Sequence, residues 1–398
     1  MRRAFGSRDT GAAPPHALSL VRDHVGAQRG ARGVREPIRS LPVPLGVGLA
    51  SHLGVLMVAS ATAAASRQPF RRLLTAWDSK WYVAAAAGYP HHITPGKGNA
   101  AQSSLGFFPA LPLLLRLVHA VLGTGYVTSG IVVSSALSLL APVTVWWVLR
   151  DAFGRQAATR GTVLVFFSPG AFVLAMVYSE GLLISAVALC LLALRKRHWV
   201  LAGLCAAVAS ATDPLGLAAF APCAIAAWRA VRDKGGLRPL VAPLLAPAGT
   251  VGFFSFLWAW VGTPMAWFIT QRRGWQGGGF FSGIPTAFSY VYRHGFSDIN
   301  DTVKTVSVLA IVLLLVAFVR ARPGATMTAY VLTTLLLAAA SPIVSLTPRV
   351  VLRAFPLLGA VGARAPRRVL PALVGFSALV MATLAVMSWG LARIPFTP

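Results

Sequence analysis

The sequence predicts an all-α polytopic membrane protein, and three observations carry that expectation. Charged residues make up 12% of the 398 positions and hydrophobic residues 56%, against about 25% charged in a soluble domain. The mean hydropathy is +0.68. The apolar residues also come in repeated runs of near-spanning length, divided by short connections rich in arginine.

A span takes about 20 apolar residues at 1.5 Å rise each, and fewer where a helix is short or buried in protein. Runs fall near 43–65, 105–122, 126–149, 161–177, 180–194, 199–212, 215–230, 240–262, 303–320, 325–340, 349–362 and 369–390. Basic clusters occupy the connections 150–160, 195–198, 229–238, 320–322 and 364–368, each pair of neighbouring clusters being separated by two runs. Alternating crossings produce that spacing when all five clusters face the cytoplasm. The segments 178–180, 213–214, 263–302 and 341–348 then face outward.

Parity singles out the second run. With the N-terminus inside, 43–65 delivers the following segment to the outer face. Were both 105–122 and 126–149 to cross, the cluster at 150–160 would lie outside as well. Residues 105–122 carry Pro109, Pro112, Arg116 and His119, which suit an interfacial or re-entrant helix better than a lipid-exposed span. The expectation is about eleven transmembrane helices, with 66–125 as a long first outer loop that contains this helix.

The organisation follows. Residues 1–42 read as a disordered basic cytoplasmic tail, with eight arginines in the first forty positions. Residues 43–392 form the transmembrane domain and 393–398 a short tail. The first apolar run lacks a clear cleavage site, so no removable signal peptide is expected. A net charge of +26 would suit a nucleic-acid binder. The arginines sit between apolar runs, however, so nucleic acid is excluded as a partner and membrane lipid takes its place. Cys190, Cys205 and Cys223 lie inside apolar runs without metal-ligand spacing and read as small buried hydrophobes.

The ten acidic residues can be sorted one by one. Asp9, Asp23 and Glu36 belong to the tail, and Asp151 and Asp233 to cytoplasmic basic clusters. Five remain for the outer face. Asp78 stands among Trp77, Lys80, Trp81 and Tyr82, just beyond the first span. An aromatic belt explains the rings but not the acid among them. Its readings are a catalytic or metal-binding carboxylate, or else a helix cap or a partner of Lys80. Glu180 lies within a long apolar stretch, where a charge is costly and marks function by default, although a turn position allows capping instead. Asp213 precedes Pro214 and reads first as a turn and helix start. Asp298 and Asp301 precede an apolar run and suit capping.

Lys80, Arg272, Arg273 and Arg349 are outward cations, with Arg353 just inside a run. An anionic lipid phosphate would account for them, as would ordinary headgroup contacts. The adjacent His91 and His92 have no third ligand at suitable spacing, so no metal site is assigned, while a divalent cation stays open as a cofactor. No phosphate loop or dinucleotide fingerprint occurs in a fitting context. Asn300–Thr302 matches an N-glycosylation acceptor, a string that chance supplies often.

Five segments, taken in order, resemble the GPI mannosyltransferase 2 family (PIG-V type) and its bacterial relatives. They are Trp77, Asp78 and Tyr82 with Gly88 and Tyr89; Phe107, Phe108, Pro109, Pro112, Leu113 and Leu114; Ser168, Pro169 and Phe172 followed by Tyr178, Ser179 and Glu180; the stretch Gln271–Trp275; and Arg349 or Arg353 before Phe355, Pro356 and Leu357. The resemblance covers roughly residues 43–362. One departure is Asp213, which stands where an arginine is expected.

The resemblance implies a GT-C membrane fold, a polyprenyl- or dolichyl-phosphate mannose donor and an inverting transfer. The expectation is a bacterial plasma-membrane mannosyltransferase working at the outer face on a glycan, glycolipid or protein acceptor. Asp78 is then the general base that deprotonates the acceptor hydroxyl. Arg349 or Arg353, with Lys80 or Arg272 assisting, stabilises the departing phosphate. Trp81, Tyr82, Tyr178 and Trp275 stack on sugar or sit at the lipid interface, and Glu180 binds acceptor hydroxyls or supports Asp78. Gln271 belongs to the same binding set. Two other classes compete: a transporter or flippase of a lipid-linked sugar, and a non-catalytic assembly subunit. A transporter should carry ionisable groups along a path to both faces.

Overall fold

The computed structural model describes residues 41–234, 236–275, 278–341, 345–390 and 396–398. Residues 1–40 of the N-terminal tail expected from the sequence lie outside them, as does part of the short C-terminal tail. Pro44–Pro398 form one compact unit, and the described secondary structure is helical throughout.

Helix α1 (Pro42–Ser66) carries no charged residue over 25 positions and exposes Leu49, Leu53 and Met57, as a lipid-facing span does. Two short helices follow, α2 (Phe70–Leu74) and α3 (Ser79–Ala87), and then a loop leads to α4 (Ala110–Leu122). Helix α4 begins after Pro109 and stops at Gly123 in the left-handed region, φ 64°. It buries Leu111, Pro112 and Leu115 while Leu113, Leu117 and Val121 stay exposed. Arg116 donates from Nε to the Ala86 carbonyl at 2.6 Å, which ties α4 to α3. A thirteen-residue helix of this kind is too short for a span. Its exposed leucines suit the membrane interface assigned to it from the sequence.

The remaining helices are α5 (Tyr126–Phe153), α6 (Arg155–Phe166), α7 (Glu180–Arg195), α8 (Trp199–Ser210), α9 (Phe220–Arg232), α10 (Val241–Leu245), α11 (Ala248–Val261), α12 (Ala266–Trp275), α13 (Gly283–His294), α14 (Ile299–Ala321), α15 (Ala325–Ala340), α16 (Pro348–Arg353), α17 (Pro356–Arg364) and α18 (Leu370–Ser388). Each of the eleven predicted spans has a helix in place. Among the described residues, five helices are long and apolar enough to cross a membrane, or six if the bent pair 238–245 and 248–261 counts as one span. The others are short or broken. Such helices are tolerated at membrane depth where protein, not lipid, surrounds them.

Besides the run 240–262, which is the bent pair, two predicted spans break in the middle. The run 161–177 stops as a helix at Phe166, turns at Ser168–Gly170, makes a 3-10 turn over Ala171–Ala175 and reaches Tyr178 extended. The run 349–362 divides into α16 and α17, with Pro356 opening the second piece. Apolar sequence, interrupted only by Arg349 and Arg353 in the second run, concealed both breaks. The two pieces meet: a Cβ on Gly161 would lie 2.9 Å from the Gly359 Cα, and one on Gly362 would lie 2.3 Å from the Gly161 nitrogen. Small residues let α6 and α17 approach backbone to backbone. At the other end of these segments, a Cβ on Gly170 would lie 2.5 Å from the Pro348 carbonyl oxygen. The turn 168–170 therefore packs directly on the start of α16.

The two long outer segments predicted from the sequence also associate. Trp267 Nε1 and Gln271 Nε2 both donate to the Gly106 carbonyl, at 3.1 and 2.8 Å. Trp275 meets Phe107 and Trp81 at ring distances of 5.7 and 6.3 Å.

Candidate active site

Five residues singled out in the sequence come together in one chain of alternating charge. Asp78 stands directly before α3. Its side chain makes no cap bond and pairs not with Lys80 but with Arg349, whose Nη1 lies 3.2 Å from Oδ2. Arg349 donates from Nε to Glu180 Oε1 at 2.7 Å, and its Nη2 lies 2.6 Å from the same oxygen. Arg353 donates from Nη2 to Glu180 Oε1 at 2.8 Å. It also reaches Asp213 in a two-armed bond, Nη2 to Oδ2 at 2.9 Å and Nη1 to Oδ1 at 3.2 Å. The order is Asp78, Arg349, Glu180, Arg353, Asp213.

Local structure explains each placement. Thr347 and Pro348 start α16, and a four-residue spacing puts Arg349 and Arg353 on one helix face. Tyr330 anchors the end of that helix by donating its hydroxyl to the Arg353 carbonyl at 2.9 Å. Glu180 is the first residue of α7, where the helix dipole favours a negative charge. Asp213 accepts from the Leu215 amide at 2.9 Å, so it caps the following turn, as the Asp-Pro pair suggested, and holds Arg353 as well. An arginine was expected at that position. With Asp there instead, the positive charge facing it is supplied by Arg353.

Burial differs along the chain of charges. Glu180 is fully buried and Arg353 is 2% exposed, whereas the Asp78 side chain keeps 28%. Asp78 is thus the member nearest to solvent. Burial pushes its carboxyl above the usual range, and Arg349 pulls back only part of that shift. Its backbone amide donates to the Tyr178 hydroxyl at 3.2 Å, and the Arg349 guanidinium lies over the Tyr178 ring at 4.9 Å. Tyr82 is buried and donates to Ser179 Oγ at 2.8 Å. These two tyrosines fix the floor of the site and do not stand free for stacking. Two polar atoms inside are unmatched: Glu180 Oε2 and Arg353 Nε have no hydrogen-bond partner among the described residues.

The arginines are heavily engaged. Arg349 Nη1 also donates to the Pro398 carbonyl at 2.9 Å, so all three of its nitrogens face oxygen. Arg353 is held by two carboxylates. In this arrangement both guanidiniums face carboxylates, and the role expected for them from the sequence is to meet an incoming phosphate. Lys80 is exposed, with its amine 4.8 Å from the Trp81 ring centre. Arg272 is exposed on α12, while Gln271 and Trp275 serve the packing of α12 on the first outer loop. Among the remaining acids, Asp298 caps α14 through the Asn300 and Asp301 amides, and Asp301 pairs with Lys304. His91 stacks on Trp260. Among the described residues, no group of three or more His, Cys, Asp and Glu side chains is arranged to hold a metal ion.

Sequence reasoning passed over two features. The pairing of Asp213 with Arg353 joins positions 140 residues apart, and no local signal marks it. Arg67, Arg71 and Arg72 follow the first span directly on its predicted outer side. The argument that drew attention to Lys80 applies equally to them.

No protein-family model matches the chain, and no curated protein does. Solved structures with a similar fold include ArnT from Cupriavidus metallidurans bound to undecaprenyl phosphate, at 17% identity and a TM-score of 0.46 over 74% of this chain and 57% of that one. Another is the archaeal oligosaccharyltransferase AglB from Archaeoglobus fulgidus, in complex with an inhibitory peptide and a dolichol-phosphate, at 12% identity and a TM-score of 0.45 over 87% and 56%. The chain spans little more than half the length of either structure.

Proposed function

We propose that this protein is a GT-C-type membrane glycosyltransferase that moves a sugar, mannose by resemblance, from a polyprenyl-phosphate carrier to an acceptor hydroxyl. Asp78 acts as general base. It takes the acceptor proton as that oxygen attacks the anomeric carbon, the carbon–phosphate-oxygen bond breaks, and the centre inverts. The phosphate leaves as a stable anion, so no strong acid is required. A carboxylate is a weak base, and positioning contributes more than basicity.

The observation that carries this reading is the state of Asp78. It is the most accessible carboxylate of a buried ion network, is not engaged in capping, and stands between Trp77 and Lys80, which both line a cavity of about 430 Å³. Arg349 and Glu180 orient it. The competing transporter reading calls for ionisable groups along a path to the opposite face. The network instead gathers at Asp78, the start of α7, the end of α8 and the start of α16, which are the segments assigned to one face.

Radiolabelled polyprenyl-phosphate-mannose, supplied to membranes holding the wild type or Asp78→Asn, tests this. The expected result is loss of transfer by about 100- to 10,000-fold at equal abundance. Equal transfer by both would make Asp78 structural. Absence of transfer by the wild type would remove the donor or the enzyme class.

A further inference from the structure

The contacts that hold Asp78 in place reach beyond the ion network. The Ser79 amide donates to the Ala76 carbonyl at 3.2 Å, closing a turn whose inner residues are Trp77 and Asp78. Trp77 sits at φ 56°, in the left-handed region, and Asp78 at φ −63°, ψ −24°. A turn that is left-handed only at its first inner residue favours glycine there. A tryptophan in that conformation is strained and persists only where its surroundings hold it.

The hold is an indole hydrogen bond. Trp77 donates from Nε1 to the Ser388 carbonyl at 2.8 Å. Ser388 ends α18, so its carbonyl has no partner within the helix, and Trp77 supplies one. Beside it, Trp389 is buried and meets the Phe172 ring edge-on at 6.3 Å. Phe172 belongs to the segment that runs on to Tyr178, whose hydroxyl accepts from the Asp78 amide at 3.2 Å. The contacts close a ring, from Trp77 through α18 and the 172–178 segment back to Asp78.

A second brace acts on the partner of Asp78. Arg349 Nη1, which pairs with Asp78 Oδ2 at 3.2 Å, also donates to the Pro398 carbonyl at 2.9 Å. The neighbours of Pro398 fix it there. Phe396 is buried in the core, and the Thr397 amide donates to Asn300 Oδ1 at 2.9 Å. Ser388 and Pro398 both lie past residue 362, where the family resemblance stops. Neither belongs to the ion network, yet each bonds a residue of the Asp78–Arg349 pair or its immediate neighbour.

We propose that the end of α18 and the segment Phe396–Pro398 position the Asp78–Arg349 pair for transfer, with Trp77 and Asn300 as the positioning side chains through which they act. The inference rests on the transferase reading and adds to it two residues that exchange no proton and fix only direction. A misplacement of about 1 Å is enough to cost about 100-fold in rate.

Two variants test this. Trp77→Phe keeps a large ring and removes the donor. Asn300→Ala removes the acceptor that holds Thr397. Each is expected to lower kcat by about 10- to 100-fold while KM stays within about twofold. The acid limb of kcat should also move down toward the ordinary carboxylate range, because a loosened Asp78 gains water. A purely structural role would lower the melting temperature and leave that limb in place. Unchanged kcat and limb in both variants would overturn the proposal, as would a loss confined to KM, which would make Trp77 a substrate contact. Should Trp77→Phe fail to fold, Asn300→Ala carries the test. Carbodiimide labelling of Asp78 as a function of pH, located by mass spectrometry, follows its ionisation without any transfer. A midpoint lowered in the variants of a protein that transfers no sugar would keep the braces and sink the enzyme. An unchanged midpoint would overturn the braces even where Asp78→Asn abolishes transfer.

Discussion

The two ends of the helical bundle handle arginine in opposite ways. At one end, Arg349 and Arg353 are 15% and 2% exposed and alternate with three carboxylates. At the other, the basic clusters sit in the open. Arg195 pairs with Asp151 at 38% and 48% exposure. Arg367 donates to Gln156 at 2.7 Å, Arg364 bonds the Arg320 carbonyl, and Arg150 lies over Trp146 and Trp147. These contacts draw four of the five predicted cytoplasmic clusters together. Solvent suffices to stabilise charge there. In the buried network only the partner does so, and every member depends on the next.

Removing a middle member should therefore have the largest effect. Arg353→Leu leaves Glu180 and Asp213 facing each other without their shared cation, and a broken buried pair costs about 3–5 kcal/mol. A drop of that order in unfolding free energy, measured in detergent, is the expected outcome. Arg353→Leu combined with Asp213→Leu should recover part of it, because one stranded charge is gone. A double variant no more stable than the single one would mean the two residues are not coupled as the distances indicate.

Much of this contrast is legible in the sequence. The sorting of acids into outer and cytoplasmic groups already isolated Asp78, Glu180 and Asp213, and the arginine clusters marked the opposite end. The helices arose where apolar runs stood. What the runs could not show was their interruption. The stretch 161–177 carries no charge and 349–362 is apolar apart from Arg349 and Arg353, and they break because Ser168–Gly170 and Phe355–Pro356 turn the chain within protein, where no lipid penalises a free carbonyl. The charge pairing was hidden for a different reason. Glu180 and Arg349 are 169 residues apart, and a single sequence carries no term that links them. Asp213 was read through its neighbour Pro214 alone, which gave its cap and missed its arginine.

The acid limb of activity gives a sharper and smaller test. Only ionised Asp78 can accept a proton. Its carboxyl titrates above the usual value because burial disfavours its charge. Transfer should accordingly fall by about tenfold per pH unit below that raised value, with the limb displaced upward from 3.8, the ordinary value for this group. Stability should behave otherwise. A folded-state value above the unfolded one means that Asp78's contribution to stability is full at low pH and is lost as pH rises through the folded value. Activity lost on acidification while the fold holds would separate the two. An acid limb at or below the ordinary carboxylate range would show that Arg349, not burial, governs Asp78.

The exposed end should yield the smallest change, and that is its diagnostic use. Asp151 and Arg195 form an ion pair with both side chains largely solvated. Such a pair contributes about 0–1 kcal/mol and is screened by salt. Asp151→Asn is therefore expected to move unfolding by less than about 1 kcal/mol, with the difference vanishing near molar salt, whereas the loss in Arg353→Leu should persist there because its partners are out of reach of counterions. Equal salt sensitivity in the two variants would mean that the buried network admits water, and the distinction between the two ends would then be one of degree.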